Sequence, residues 1–340
     1  MPAPAGACEF PWNKAAPVSY CYQEVHAMRL SMFAAAALLV APFQNSCDLG
    51  DLAGASDAYR EDFQYSYDLK PGGTLTVENF NGPVEIMSWE KNTVQITGAK
   101  YASREENMRA IRIDIKAAPD SIAIRTVRPA EVRSGNMGAR YFIRVPREVE
   151  LALVRSSNGQ LRVEDTQGGA RLETSNASVR LRALNGRLDV RTSNGSIECD
   201  DIAGDAVLRT SNASVRGDRF RGAVEAVTSN GSIHMAGFRP PAGRPLRFQT
   251  SNASIDLTFD EWQGSPLQAS SSNGSITVRL PANARAEIKA GTTNSSVTSD
   301  LDISMRGSIS KTRIDGALNG GGPVIDLSTS NAPIRLMKIL

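Results

Sequence analysis

The sequence predicts an all-β fold, a parallel β-solenoid (β-helix) of 18–22-residue coils with an N-terminal β-rich cap that contains one short helix. The first observation behind this prediction is a repeat: Thr or Ser, then Ser or Thr, then Asn, in five copies at equal 18-residue steps and four more at wider steps. The second is that apolar residues alternate with polar ones on both sides of each copy, which is typical of strands. The repeated asparagines are Asn158, Asn176, Asn194, Asn212, Asn230, Asn252, Asn273, Asn294 and Asn331.

Each unit is interpreted as two short strands that meet at the Asn, where Gly or Ala follows in a tight turn that a left-handed backbone would suit. A meander of hairpins and a solenoid both fit this unit. The solenoid is favoured because each coil would stack on the one before it, about 4.8 Å away, so that equivalent Asn side chains form a hydrogen-bonded ladder. Outward rows with alternating charge agree with stacking; they are Arg171, Asp189, Val207, Glu225, Arg247 and Arg180, Glu198, Arg216, His234, Asp256.

The chain is divided into three regions, namely 1–47, 52–147 and 148–340, the last being the repeat domain. The middle region is expected to cap the open end of the stack, as repeat proteins require. Its predicted helix is Ser103–Ile113 with Ser103 as N-cap. Its predicted strands are Thr74–Ile86, Thr93–Ala102, Ser121–Val127 and Arg140–Val145. Near the other end, the glycine cluster Gly316–Pro323 is expected to form a wide turn, since it lacks the lysine and helix of a phosphate-binding loop.

The first 47 residues are interpreted as an upstream segment and a signal peptide. Residues 32–41 form an apolar run that is too short to span a bilayer, which takes about 20 residues, and that fits the core of an export signal. Translation is expected to begin at Met28. Cys47 follows in a context similar to a lipoprotein cleavage site, so lipid attachment is predicted there; ordinary cleavage and a secreted product are the alternative.

Composition argues against several classes of function. Lys and Arg number 38 against 36 Asp and Glu, which leaves a net charge of +2 and disfavours nucleic-acid binding by bulk charge. Two His and four Cys give little material for a zinc or haem site or a disulfide framework, so no cofactor is predicted. His234 is expected at the surface and Cys199 in the core. Trp262 is expected to pack over a coil, with sugar stacking as the alternative.

An enzyme acting on polysaccharide, a lyase or hydrolase, is the alternative to a non-enzymatic binding protein. It would need clustered outward carboxylates, and Asp200 and Asp218 occupy equivalent positions in adjacent coils, where a stacked pair could perform acid–base catalysis. Glu164 and Arg182 precede them in the same row. Glu198 and Asp201 lie beside them. A surface ladder of charges explains the same residues without catalysis. A calcium-binding roll is disfavoured because the bend residue is Asn.

Three kinds of motif recur together in the chain: Asn79–Ile86 (Asn-Phe-Asn-Gly-Pro-Val-Glu-Ile), the Ser-Asn-Gly-Ser-Ile units, and Gly320–Pro323 followed by Thr329–Asn331. In these motifs residues 58–340 resemble a bacterial exported β-strand-repeat family of unknown function, the adhesin-type family with head-GIN-like domains. The resemblance implies a non-enzymatic β-solenoid of the cell envelope, membrane-anchored and linked to envelope stress, without catalytic residues. An envelope protein or a surface glycan is the expected partner.

Overall fold

The computed structural model describes residues 58–130, 135–306 and 310–339. The predicted start at Met28, the apolar run 32–41 and Cys47 lie outside the described residues. Within the described part, 27 strands and one short helix follow one another, which confirms the all-β prediction. In chain order they are β1 (Tyr59–Asp68), β2 (Gly73–Asn79), β3 (Val84–Trp89), β4 (Thr93–Ala102), α1 (Glu105–Ala110), β5 (Arg112–Ala118), β6 (Ser121–Val127), β7 (Met137–Pro146), β8 (Val149–Ser156), β9 (Leu161–Glu164), β10 (Ala170–Thr174), β11 (Val179–Asn185), β12 (Leu188–Arg191), β13 (Ile197–Ala203), β14 (Ala206–Arg209), β15 (Val215–Arg221), β16 (Val224–Val227), β17 (Ile233–Phe238), β18 (Leu246–Gln249), β19 (Ile255–Phe259), β20 (Leu267–Ser270), β21 (Ile276–Leu280), β22 (Ala286–Thr292), β23 (Val297–Ser299), β24 (Ile303–Met305), β25 (Arg313–Leu318), β26 (Val324–Thr329) and β27 (Ile334–Lys338).

The strands form two long, mostly parallel sheets. Sheet A has the order β1-β4-β7-β3-β9-β11-β13-β15-β17-β19-β21-β27-β23, and sheet B has the order β24-β25-β22-β26-β20-β18-β16-β14-β12-β10-β8-β2-β6-β5. Each repeat gives one strand to each sheet. Val179 pairs with Ile197, and Ile197 pairs in turn with Val215, so equivalent residues are direct neighbours. A hairpin meander would pair antiparallel strands instead, and this pairing excludes it for the repeats.

The inner faces of the two sheets form one continuous apolar core. Strands such as β14 alternate buried and half-buried residues, as the period-two pattern predicts. The largest core side chains also stack in files. Phe220 and Phe238 lie 6.1 Å apart between ring centroids, and Phe238 and Phe259 lie 5.1 Å apart. Equivalent positions therefore fill equivalent space from coil to coil.

The coils contain a regular bend that the sequence analysis missed. One residue per coil has a positive φ, at 18-residue intervals: Asp165 (59°), Ala183 (53°), Asp201 (52°), Arg219 (50°) and Gly237 (60°). A non-glycine residue in this region costs about 1–2 kcal/mol, so the stacked neighbours must hold it there. The bend turns the chain within sheet A and projects the side chains of Asp201 and Arg219 towards solvent.

Three local predictions need correction. The helix covers Glu105–Ala110, its N-cap is Arg104 without a side-chain bond, and Ser103 Oγ instead donates to the carbonyl oxygen of Asn136 at 3.1 Å. The segment Thr74–Ile86 is two strands, because Gly82 turns between them with φ of 111°. Gly316 and Ala317 lie inside β25, and the wide turn is confined to residues 319–323.

The order of coils at both ends differs from the order of the sequence. At the C-terminal end, β27 lies between β21 and β23, and β26 lies between β20 and β22. The coil of Asn331 is thus inserted between those of Asn273 and Asn294. At the other end, β3 lies between β7 and β9 in sheet A, and β2 lies between β6 and β8 in sheet B. The expectation that each coil stacks on the one before it in sequence is therefore wrong at both ends.

The residue after each Asn is small because coils approach closely there. Among the described residues, none at this position has a positive φ, so the expected left-handed backbone is not the reason. A Cβ added to Gly195 would lie 1.7 Å from the carbonyl oxygen of Ala177, one coil earlier, and Gly231 meets Ala213 in the same way. In stack order these residues are Gly159, Ala177, Gly195, Ala213, Gly231, Ala253, Gly274, Ala332 and Ser295.

Gly and Ala thus alternate without a break from Gly159 to Ala332, but only in the order of the stack. In this run every second coil carries a methyl group, and a Cβ added at a glycine between them would collide with the backbone of the preceding coil. In sequence order, Ser295 would follow Gly274 and the last Ala would fall outside the alternation. The inserted position of the Asn331 coil preserves the pattern.

Antiparallel strands lie at the ends of the two sheets. At the N-terminal end, β1 and β4 extend sheet A beyond β7, and β5 extends sheet B beyond β6. At the C-terminal end, β25 and β24 extend sheet B beyond β22. The predicted capping region, 52–147, thus supplies both parallel strands of the stack and antiparallel strands at its end.

We predict that Gly195→Ala lowers the free energy of unfolding by about 1–3 kcal/mol, the usual cost of overpacking. The matched control is Ala213→Gly in the next coil, which removes a methyl group and should cost about 1 kcal/mol or less. Urea unfolding of the full chain, followed by circular dichroism, measures both. Equal losses for the two variants would contradict the alternation.

Candidate functional site

A buried threonine row fixes the geometry of each corner. Thr192 Oγ1 donates to the carbonyl oxygen of Ala177 in the preceding coil at 3.4 Å and accepts the N–H of Gly195 at 3.2 Å. Thr210 and Thr228 make the same bond to the preceding coil at 3.0 Å and 3.1 Å. The hydroxyl therefore ties successive coils together and leaves the next two residues, Ser and Asn, exposed.

The repeated asparagines lie in one exposed file. Every Asn after Asn158, the first in the file, donates through Nδ2 to Oδ1 of the preceding Asn in the stack, and the eight bonds measure 2.6–2.8 Å. At the C-terminal end the file follows the stack: Asn331 donates to Asn273, and Asn294 donates to Asn331. In stack order the file is Asn158, Asn176, Asn194, Asn212, Asn230, Asn252, Asn273, Asn331 and Asn294.

We call the Asn file and the hydroxyl residue that precedes each Asn the Ser-Asn corner. The preceding residues are Ser157, Ser175, Ser193, Ser211, Ser229, Ser251, Ser272, Thr293 and Ser330, all exposed. A primary amide has two N–H donors and an oxygen with two lone pairs. The ladder uses one donor and one lone pair of an internal Asn, so one of each remains for a ligand. The corner is uncharged and offers the same groups at every coil.

The outward rows of the sheets are ladders of paired charges. Arg180 Nε lies 3.0 Å from Glu198 in the next coil, and Arg209 lies 2.9 Å from Glu225. Burial alone would raise the pKa of the Glu173 carboxyl, but hydrogen bonds from Arg155 and Arg171 lower it below its usual value. These rows join neighbouring coils by opposite charges, as the sequence predicted.

The predicted carboxylate pair is brought together, but a guanidinium bridges it. Asp200 and Asp218 are register partners in β13 and β15. Arg219, at the bend, bonds Asp218 through Nη1 at 3.2 Å and Asp200 through Nη2. Sequence reasoning missed this role because it did not detect the bend. The only signal was the 18-residue spacing of the position itself.

The remaining candidate carboxylates are also engaged. Asp201 is bonded by Arg221 at 3.0 Å. Glu164 is bonded by Arg162 at 2.7 Å, and this hydrogen bond raises the pKa of the Arg162 guanidinium. Arg182 lies in register between Glu164 and Asp200. Within the described residues, no group of three or more His, Cys, Asp or Glu is placed to hold a metal ion.

Single residues singled out in the sequence lie as follows. His234 is exposed in the outward row between Arg216 and Asp256. Cys199 is buried, and burial raises the pKa of its thiol to about 12, so it remains a protonated core side chain. The Trp262 indole N–H donates to the carbonyl oxygen of Arg285 at 3.1 Å, and its ring lies 5.1 Å from Phe259, edge to face. These contacts support the packing interpretation of Trp262.

A shallow polar groove of about 420 Å³ continues the corner at the C-terminal end of the stack. It is lined by hydroxyl residues of the last three coils, among them Thr293, Thr312 and Ser330, with Arg313 as its charged group. Its floor includes Gly291, where an added Cβ would meet nothing within 4 Å. The groove therefore presents hydroxyl groups and the exposed guanidinium of Arg313, which is paired with Asp315 at 3.3 Å, at the end of the corner.

Comparison with known proteins gives only distant similarities to solved structures. No family model and no curated protein matches the chain. Three similar solved structures are a putative cell adhesion protein from Clostridium sporogenes and putative adhesins from Bacteroides fragilis and Parabacteroides distasonis. Their identities are 11%, 11% and 9%, and their TM-scores are 0.18, 0.33 and 0.34. Each alignment covers 82% of this chain and 100%, 97% and 97% of the other chain.

At these identities and TM-scores, the function has to be argued from this chain's own geometry. Among the residues that the structure describes, the single helix, α1, is six residues long, and no helix is long and apolar enough to cross a membrane.

We predict that Asn212→Ala in the middle of the ladder costs about twice as much stability as Asn294→Ala at its end. The first change removes two amide bonds and the second removes one, at about 0.5–1.5 kcal/mol each. Urea unfolding of the full-length variants measures the difference. If both variants unfold like the wild type, the ladder does not stabilise the fold.

Proposed function

We propose that the chain is a non-enzymatic β-solenoid protein of the cell envelope, an adhesin- or scaffold-like binding module. The proposed ligand is an extended, hydroxyl-rich polymer, a surface glycan, and the proposed site is the Ser-Asn corner. The observation that carries the proposal is the uninterrupted ladder, which presents a free amide donor and acceptor beside a hydroxyl at every internal coil. Sugar hydroxyls both donate and accept hydrogen bonds, so they match this set.

Repetition favours binding over catalysis. A catalytic site concentrates different groups at one place, whereas the corner repeats the same groups along the whole stack. Each coil would bind weakly, because a solvent-exposed hydrogen bond contributes little on its own. Contacts along one polymer add through high effective concentration, so the sum can be strong.

Location at the envelope is the part of the proposal that rests on the sequence. The apolar run 32–41 would direct export, and lipid attachment at Cys47 would hold the mature chain at a membrane surface. An envelope protein that binds in place of a glycan is the other partner class, and the experiment below distinguishes the two.

The contacts of Asp200 and Asp218 favour a binding module over a polysaccharide lyase or hydrolase. Arg219 contacts both Asp200 and Asp218. One oxygen of each carboxylate is thus engaged by the same guanidinium, as in the charge ladders of the neighbouring rows. The arrangement serves to join two coils by charge.

The test replaces five corner hydroxyls at once, in S175A/S193A/S211A/S229A/S251A. These side chains make no hydrogen bond among those found in the described residues, so thermal unfolding should not change. We expect retention on immobilised envelope glycan to fall at least tenfold, which is about 1.4 kcal/mol. The matched control is R171A/D189A/E225A/R247A, which keeps the net charge and changes an outward row of sheet B.

Unchanged glycan retention in the five-serine variant, or equal loss in the control, would contradict the corner as the site. Retention of an envelope protein but not of glycan would contradict the ligand class.

We further predict that incubation with the wild-type protein leaves the length of the glycan chains unchanged. Incubation with the variant D200N/D218N should give the same result. Size-exclusion chromatography of the glycan measures this. Shortening by the wild type that D200N/D218N abolishes would establish the enzyme and overturn the proposal.

A further inference from the structure

Strand β1 is the longest open sheet edge in the described part of the chain. It runs ten residues, Tyr59–Asp68, and pairs only with β4. The other terminal strands, β5, β23 and β24, have seven, three and three residues. At β23 the N–H of Val297 is already bonded to the carbonyl oxygen of Lys311 at 2.9 Å, and β5 carries Arg112 and Lys116. Short strands and lysine protect edges, whereas a long open edge pairs with further strands.

The outward backbone groups of β1 can be assigned from its pairing. The N–H of Leu69 donates to the carbonyl oxygen of Asn92 at 3.0 Å, so odd-numbered residues of this antiparallel pair direct their backbone groups towards β4. The even-numbered residues, from Arg60 to Asp68, therefore present five N–H and five C=O groups to the open edge.

The side chains of β1 fall on two faces. The odd-numbered face is aromatic apart from Glu61, which is paired with Lys100; Phe63 packs against Tyr141 at 5.4 Å, whereas Tyr59 and Tyr65 remain 42% and 37% exposed. The even-numbered face carries Arg60 near its start, within 2.8 Å of Asp62, and a second negative residue, Asp68, at its end. Such an order of charges is complementary to itself when the strand is reversed.

The geometry points to a second copy of this chain as the partner of this edge, with two β1 strands paired antiparallel about a twofold axis at Gln64. In this register Arg60 faces the partner's Asp68 on both sides of the axis, and Phe63 faces the partner's Tyr65. All ten outward backbone groups find partners, because the facing even-numbered residues exchange two hydrogen bonds each. Isologous twofold contacts are the commonest form of association.

Neighbouring registers are poorer. A twofold axis at Asp62 places Asp62 against the partner's Asp62, and an axis at Tyr65 places Asp62 against the partner's Asp68. Like charges directly opposite destabilise a pair. An axis at Phe63 leaves Arg60 opposite the partner's Ser66 and places Asp68 opposite the partner's Ala58, outside the strand. Charge and backbone pairing thus select the axis at Gln64.

The test uses single cysteines in the full-length chain under mild oxidation. In the proposed register, the Cα atoms of residue 64 and its symmetry mate lie about 5.5 Å apart, within the range that a disulfide spans. The matched control is Ser66→Cys, whose symmetry mate lies four residues along, about 14 Å away. We expect Gln64→Cys to give a covalent dimer and Ser66→Cys to give none.

The natural cysteines Cys8, Cys21, Cys47 and Cys199 are present in every sample, so the linked peptide is identified by mass spectrometry. Linkage at 64 alone supports the register. Equal linkage at 64 and 66 reports random encounter, and it would overturn the proposal.

A charge exchange provides the second measurement, within the Gln64→Cys background. Arg60→Asp or Asp68→Arg alone places like charges opposite each other twice, and should lower the linked fraction at least fivefold. The double change R60D/D68R restores opposite charges and should restore linkage. Failure of the double change to restore linkage would contradict the proposed register. A chain that sediments as a monomer with no linkage at 64 would overturn the pairing of two copies at this edge.

Discussion

Close stacking of the coils at the Ser-Asn corner, and at the buried threonine that precedes it, is the constraint on which the rest of the structure depends. There the backbone of one coil approaches the next so closely that a Cβ on Gly195 would overlap a carbonyl oxygen. The buried hydroxyl of Thr192 and the amide of Asn194 both reach the preceding coil and hold the two in register. Because register is fixed at the corner, the strands on both sides pair residue for residue, and the core and the charge rows repeat with the same period.

This constraint also decides where function can lie. A structure built by exact repetition presents files of identical groups, and its outward carboxylates are placed beside arginines of neighbouring coils. The one place where two predicted acids meet, Asp200 and Asp218, is bridged by Arg219 from the bend. Within the described residues, the Ser-Asn corner presents unused amide groups along the stack and β1 presents unpaired backbone groups, and the two binding proposals rest on these features.

The sequence predicted the parts of the fold that repetition determines. The period, the nine asparagines, the inward residues and the outward rows all follow from spacing, since stacking makes spacing equal to spatial position. The order of the end coils did not follow, because spacing carries no information about which coil lies next to which. The alternation of Gly and Ala does hold information on this order, because it is unbroken only when Ala332 follows Gly274. The bend at Arg219 was missed because Asp, Ala and Arg share no preference for positive φ.

The most direct test of the account is native-state hydrogen exchange, resolved to peptides, at the C-terminal end of the chain. The terminal segment of a chain usually frays and exchanges early. Here β27, Ile334–Lys338, lies between β21 and β23, so its amides are predicted to exchange as slowly as those of β21, and more slowly than those of β23. Fast exchange in β27 together with strong protection of β23 would place the coils in sequence order and contradict the stacking on which the fold, the ladder and the binding surface all depend.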